Sequence, residues 1–134
     1  MWISHITVTE LLCNRFLGVK DIPSLSLLGF GSIFPDWMEY IGRFRILSHR
    51  GISHNISFWL VTYLVANLLL KAYYPYLKWF LIGVFMHLAE DAMTKRGIPI
   101  FFGYSKRFAL KLFITGGKGE TIFVLIVIML CLVA

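Results

Sequence analysis

Five apolar stretches, at about 3–18, 24–34, 55–72, 76–91 and 121–134, fill most of this chain and restrict it to very few folds. Backbone placed in hydrocarbon must satisfy its N–H and C=O groups internally, which in segments of this length means helices. A full crossing takes about 20 residues, within a range of roughly 17–25. The third stretch meets that length, the fourth nearly does, and the first, second and fifth are short. Those three are expected to be tilted or half-embedded, and the fifth could begin as far back as Leu110. Apolar residues make up 58% of the sequence, against roughly 45–50% in soluble proteins, so the chain reads as a membrane protein. The expected architecture is all-α, an integral membrane bundle of about five helices in one domain over residues 1–134.

The punctuation between stretches sets an expected topology. Gly18, Asp21 and Pro23 read as a turn, and the second stretch is expected to end at Pro35, because the residue before a proline is biased out of the helical region. Tyr73-Tyr74-Pro75 is read as the joint of a tight antiparallel hairpin. That hairpin would put His54, at the start of one helix, and His87 to Asp91, at the end of the other, on one face. The turn near Asp21 brings His5 and Asp36 to the same face. The only long irregular segment runs from about 92 to 119. Residues 1–15 already carry His5, Glu10, Asn14 and Arg15, so no removable signal peptide is read. Cys13 and Cys131 sit in apolar segments with no C-x-x-C, which points to packing and to neither a disulfide framework nor a cysteine zinc site.

The formal net charge is +6. Arg43, Arg45, Arg50, Lys95, Arg96, Lys106, Arg107, Lys111 and Lys118 flank the apolar runs on the side of the motifs, where such charge sets membrane orientation. The positive-inside rule makes that face cytoplasmic, and nucleic-acid binding is disfavoured. Trp37, Trp59, Tyr73, Tyr74, Tyr76 and Trp79, near segment ends, are read as interfacial anchors.

Nearly all imidazoles and carboxylates of so apolar a chain are packed into a few motifs, and each costs desolvation near a bilayer, so one shared polar site is expected. His87 and Asp91 stand four apart on one helix face, within reach of a common ion. Zinc accepts both donor types at about 2.0–2.2 Å; an isolated His–Asp pair capping a helix end is the bland alternative. His49 and His54 bracket Arg50-Gly51, where Gly51 can take a positive φ, and Ser53 is a plausible N-cap. Both histidines could be ligands, or one a ligand and the other an acid–base group. Asp36, after Pro35, can be aimed by a rigid turn, and Glu39 could join it. Glu120 opens the last stretch, where a carboxylate favours a helix N-terminus. Gly116-Gly117-Lys118-Gly119 lacks the earlier glycine and the Ser/Thr of a P-loop, and no G-x-S-x-G elbow is present.

The order of these motifs is distinctive: His5, then Gly31-Ser32-Ile33-Phe34-Pro35-Asp36, His49-Arg50-Gly51-Ile52-Ser53-His54, and His87-x-x-x-Asp91 followed by Thr94 and Gly97-Ile98-Pro99. It resembles the YdjM-type family of membrane-bound, predicted metal-dependent hydrolases over nearly the whole chain. That family is in turn distantly similar to zinc-dependent phospholipase C and the S1/P1 nucleases. The resemblance implies Asp36, His54, His87 and Asp91 as ligands of a divalent metal, zinc by preference, with His5 and His49 as further candidates. The chain departs from the family pattern at Met38, where a second acidic residue is common, and at Asn55, where serine is common.

The resulting expectation is an inner-membrane hydrolase whose metal site opens to the cytoplasm and whose substrate is a phosphoester in a phospholipid or other amphiphile. Metal ligation falls to Asp36, His54, His87, Asp91 and His5. Proton management falls to Glu39, His49 or Glu90, and binding of the anionic head group to Arg50, Lys95 and Arg96. The rival reading is a metal-stabilised membrane scaffold or small subunit without turnover, since a structural site is closed by four ligands and a catalytic one is not.

Overall fold

A computed structural model describes residues 2–41, 51–101 and 106–133. Among them are five α-helices: α1 (Trp2–Leu17), α2 (Ile22–Ile41), α3 (Ile56–Leu69), α4 (Tyr74–Met93) and α5 (Lys118–Val133). One-turn 3-10 helices at Ile52–His54 and Lys71–Tyr73 precede α3 and α4. The expectation of a mostly helical chain holds. To it the structure adds a two-residue antiparallel ladder, β1 (Ile98–Pro99) with β2 (Arg107–Phe108), inside the segment read as irregular.

Local chemistry accounts for the helix ends. Gly18 takes φ +68°, which a residue without Cβ adopts freely, and Val19 N–H returns to the Cys13 carbonyl to close α1. Asp21 caps α2 by accepting from Ser24 N–H at 2.9 Å. Asn55, not Ser53, caps α3, its side chain accepting from Phe58 N–H at 3.0 Å. Asparagine does there what serine would do, so the departure at Asn55 leaves the cap intact. Gly51 sits at φ −88°, so the turn before α3 does not use the left-handed region.

Three expectations are corrected. First, α2 does not stop at Pro35 but continues to Ile41. A proline removes one backbone donor and crowds one carbonyl, a local penalty that packing along the rest of the helix outweighs. Second, α3 and α4 do not form an antiparallel hairpin; they are bent by 104° at their junction. The main neighbour of α4 is instead α2. Glycine makes that crossing possible, because a Cβ at Gly31 would collide with the Phe80 carbonyl and one at Gly83 with the Leu28 carbonyl. Third, Trp59 is no interfacial anchor. It is buried, its indole N–H donates to the Ser53 carbonyl at 2.7 Å, and it packs with Ala66, Leu81, Val84 and Leu88.

No single described helix is long and apolar enough to cross a membrane; only the bent α3–α4 pair passes that test, and only jointly. The 14 residues of α3 and 16 of α5 correspond to about 21 and 24 Å at 1.5 Å per residue. Both fall short of a hydrocarbon core of about 30 Å.

Candidate metal centre

Four elements deliver the polar site. His5 comes from the first turns of α1, Asp36 and Glu39 from the last turns of α2, His54 from the 3-10 turn before α3, and His87, Glu90 and Asp91 from the C-terminal half of α4. Thr94 stops α4 with its N–H and hydroxyl both on the Asp91 carbonyl, which ends the helix just past the site.

The imidazole and carboxylate groups meet at one point. His54 Nε2 lies 3.1 Å from His87 Nε2, 3.2 Å from Asp91 Oδ2 and 3.4 Å from Asp36 Oδ1. His87 Nε2 lies 3.6 Å from Asp91 Oδ2 and 3.8 Å from Asp36 Oδ1. Donor atoms bonded tetrahedrally to an ion at about 2.0–2.2 Å stand roughly 3.3–3.6 Å apart, and these five separations, from 3.1 to 3.8 Å, bracket that range. Two triads of donor atoms, Asp36–His54–His87 and His5–His87–Asp91, each fall within 4.8 Å of one another.

The outer ring nitrogens are already committed. His87 Nδ1 is 2.7 Å from the Ser32 carbonyl, which can only accept, so Nδ1 carries the proton and Nε2 presents its lone pair. His54 Nδ1 is held by Glu39 Oε1 at 2.9 Å and touched by Ser53 Oγ at 3.0 Å. His5 Nδ1 meets Glu90 Oε2 at 3.1 Å, and its ring lies 4.2 Å from that of His87. Imidazoles tied outside to a carboxylate or carbonyl and turned inward through Nε2 are the arrangement that metal-binding histidines use.

Burial makes the arrangement expensive without a cation. His54 and His87 are fully buried and Asp91 is 1% exposed, whereas the Asp36 side chain is 24% exposed and forms the open edge. Burial works against charge on His54, but the hydrogen bonds its ring makes to the Asp36, Asp91 and Glu39 carboxylates outweigh it and push the imidazole up to about 10. Positive charge at this point is therefore favoured by the three carboxylates around it. Glu90 Oε1 is buried with no hydrogen-bond partner among the described residues, a further sign of a centre short of positive charge.

Other candidates fall elsewhere. Lys95 and Arg96 follow α4 as exposed residues beside the site-bearing end. His49 and Arg50 lie outside the described residues. Glu120 caps α5 and ties it to α1: its carboxylate takes Ser4 Oγ and, at 2.5 Å, Gly116 N–H, so both oxygens are spent on structure. Met38, where the resembled family carries a second acid, packs against the Trp59 core. Sequence reasoning placed Ser32 in a motif but missed its role, which belongs to its backbone carbonyl: that oxygen orients His87, and a backbone contact leaves no mark in residue type.

No curated protein and no solved structure matches the chain. One family model does, and it does so from end to end. By that match over residues 1–134, the chain belongs to the family described as YdjM inner membrane protein.

Proposed function

We propose that this protein is a metal-dependent hydrolase of the inner membrane, acting on a phosphoester in a lipid or other membrane-associated amphiphile. The observation that carries the reading is the pair of buried imidazoles with Nε2 atoms 3.1 Å apart, both Nδ1 atoms occupied, and two carboxylates closing on the same point. Asp36, His54, His87 and Asp91 would hold a divalent ion, zinc by donor type, with His5 on the second face of His87 and Asp91. Bound there, the ion would supply Lewis acidity and bring the pKa of a water from about 15.7 toward 7.

The chain's own residues divide the remaining work. Glu39 and Glu90 are assigned to holding His54 and His5 in register, because each carboxylate faces a ring nitrogen and not the open edge. Proton transfer then falls to His49, and binding of the anionic head group to Arg50, Lys95 and Arg96, whose charges suit phosphate. The 24% exposure of the Asp36 side chain favours a catalytic over a closed structural site, since it leaves one approach open to substrate and water.

The test is metal analysis and turnover on the same detergent-purified sample. Wild-type chain should carry at least one zinc-class ion and hydrolyse a phosphodiester or phospholipid. His87→Ala should lose both ion and turnover, and Arg50→Ala should keep the ion and raise KM. Full metal occupancy with no turnover over a panel of phospholipids and phosphodiesters would establish the scaffold reading instead.

A further inference from the structure

Between the diverging helices α3 and α4 lies a cleft of about 380 Å³, lined by Phe58, Val61, Val65, Leu70, Leu77 and Phe80. That volume is in the range of small-molecule sites. The one hydroxyl in its wall, Thr62 Oγ1, donates its proton to the Phe58 carbonyl at 2.9 Å, so no side chain of the wall has a donor left for an occupant. It is open to the helix exterior, where Val61 and Val65 are about half exposed.

Its two ends differ. At one end Phe58 and Phe80 join the aromatic layer of Phe34 and Trp59, and this end is tied to the residues on either side of His54: Phe58 N–H donates to the Asn55 side chain at 3.0 Å and Trp59 Nε1–H to the Ser53 carbonyl at 2.7 Å. At the same end Ser57 is fastened through N–H and hydroxyl to the Ile100 carbonyl, which docks the loop after Lys95 and Arg96 against the start of α3. The other end is the α3–α4 junction at Leu70. From Phe58 to Leu70 is roughly 18 Å along a helix. One leaflet of hydrocarbon is about 15 Å deep. A fully apolar slot one leaflet long, starting beside a polar cluster and a basic loop in a chain of an inner-membrane family, has the dimensions of one lipid tail.

We propose that the α3–α4 cleft is an acyl-chain site that seats the tail of a phospholipid whose head group reaches the metal cluster. The inference rests on the phosphoester reading for its head-group half, but the tail site is separable from turnover. Chain length is then read by the cleft and bond type by the cluster. A second copy of this chain fits less well, because a helix of about 10 Å diameter is wider than a slot walled by two helices that meet at Leu70.

The experiment uses the zinc-loaded full chain in mild detergent and titrates palmitoyl and hexanoyl lysophosphatidylglycerol by calorimetry. The wild type should bind the palmitoyl probe at least tenfold more tightly than the hexanoyl one. Val61→Trp with Val65→Trp should erase most of that preference, while Leu64→Trp, exposed on α3 and outside the cleft wall, should retain it. Equal binding of both probes by the wild type, or a preference untouched in the double variant, would overturn the acyl site. So would light scattering that shows the cleft occluded in a dimer which the double variant disrupts. Chain-length preference that depends on the cleft, in a protein that turns over neither these probes nor the phospholipid and phosphodiester panel, would leave the acyl site standing and remove the hydrolase reading.

Discussion

At the scale of single residues, the centre depends on pairs in which an inner nitrogen is useful only because an outer one is occupied. Glu39→Gln keeps the size of the side chain but removes the charge that holds the His54 ring, since Glu39 Oε1 lies 2.9 Å from Nδ1 and a neutral amide is a weaker acceptor for it. Loss of such an orienting partner costs about 10–100-fold in metal affinity. Competitive chelator titration of wild type against Glu39→Gln measures it, and equal affinities would detach Glu39 from the centre. Proton linkage gives a second expectation. His54 in the metal-free chain is pushed up to about 10, so at neutral pH an incoming ion must displace its proton. Apparent metal affinity should rise with pH until about pH 10 and level off above it. Calorimetry in two buffers of different ionisation heat should report net proton release near pH 7, and no release would show that His54 is already neutral.

At the scale of elements, the contact that carries the site is the α2–α4 crossing, which brings Asp36 to 3.8 Å from His87. It is close because Gly31 and Gly83 each face the partner's backbone. Gly31→Ala or Gly83→Ala must push the helices apart, since a backbone carbonyl cannot rotate away as a side chain could. Overpacking of this kind costs about 1–3 kcal/mol. Thermal denaturation in detergent should show the loss, accompanied by weaker metal binding, because the same displacement opens the His87–Asp36 edge. Ala89→Gly, by contrast, lowers helix propensity by about 1 kcal/mol without forcing the helices apart, and should leave metal affinity nearer wild type for a similar loss of stability.

At the scale of the whole molecule, apolar side chains cover α3 and α5 on their outer faces. Leu68, Leu69, Leu132 and Val133 are each at least 70% exposed. Helices this apolar and shorter than the hydrocarbon core fit a body sunk into the bilayer better than a set of independent crossings. The basic residues Lys95, Lys106, Arg107 and Lys111 follow α4, and a cytoplasmic site-bearing side is the expectation that the positive-inside rule puts to test. A chain carrying Lys106→Cys, with Cys13→Ala and Cys131→Ala, should resist an impermeant thiol reagent in intact cells and react once the membrane is opened. Labelling from outside would reverse the orientation.

The helical class and the identity of the polar motifs were legible in the sequence because both are local. Apolar runs force backbone hydrogen bonds inward, and the four-residue spacing of His87 and Asp91 places them on one helix face whatever surrounds them. The route by which the motifs meet was not legible. A hairpin of α3 on α4 and a crossing of α2 on α4 are equally compatible with those runs, and two glycines decided for the crossing by admitting backbone-to-backbone contact. Pro35 reads locally as a helix end, yet α2 passes through it because the helix is held on both sides of the proline. Nor could spacing distinguish carboxylates that face the centre from those that stand behind it. Glu39 and Glu90 are as acidic as Asp36 and Asp91, but only packing turns them onto the Nδ1 atoms of His54 and His5. The sequence by itself determined which chemical groups are present and that they lie at helix ends. Which way each of them faces was decided by tertiary structure, because direction and distance are not encoded residue by residue in a linear chain.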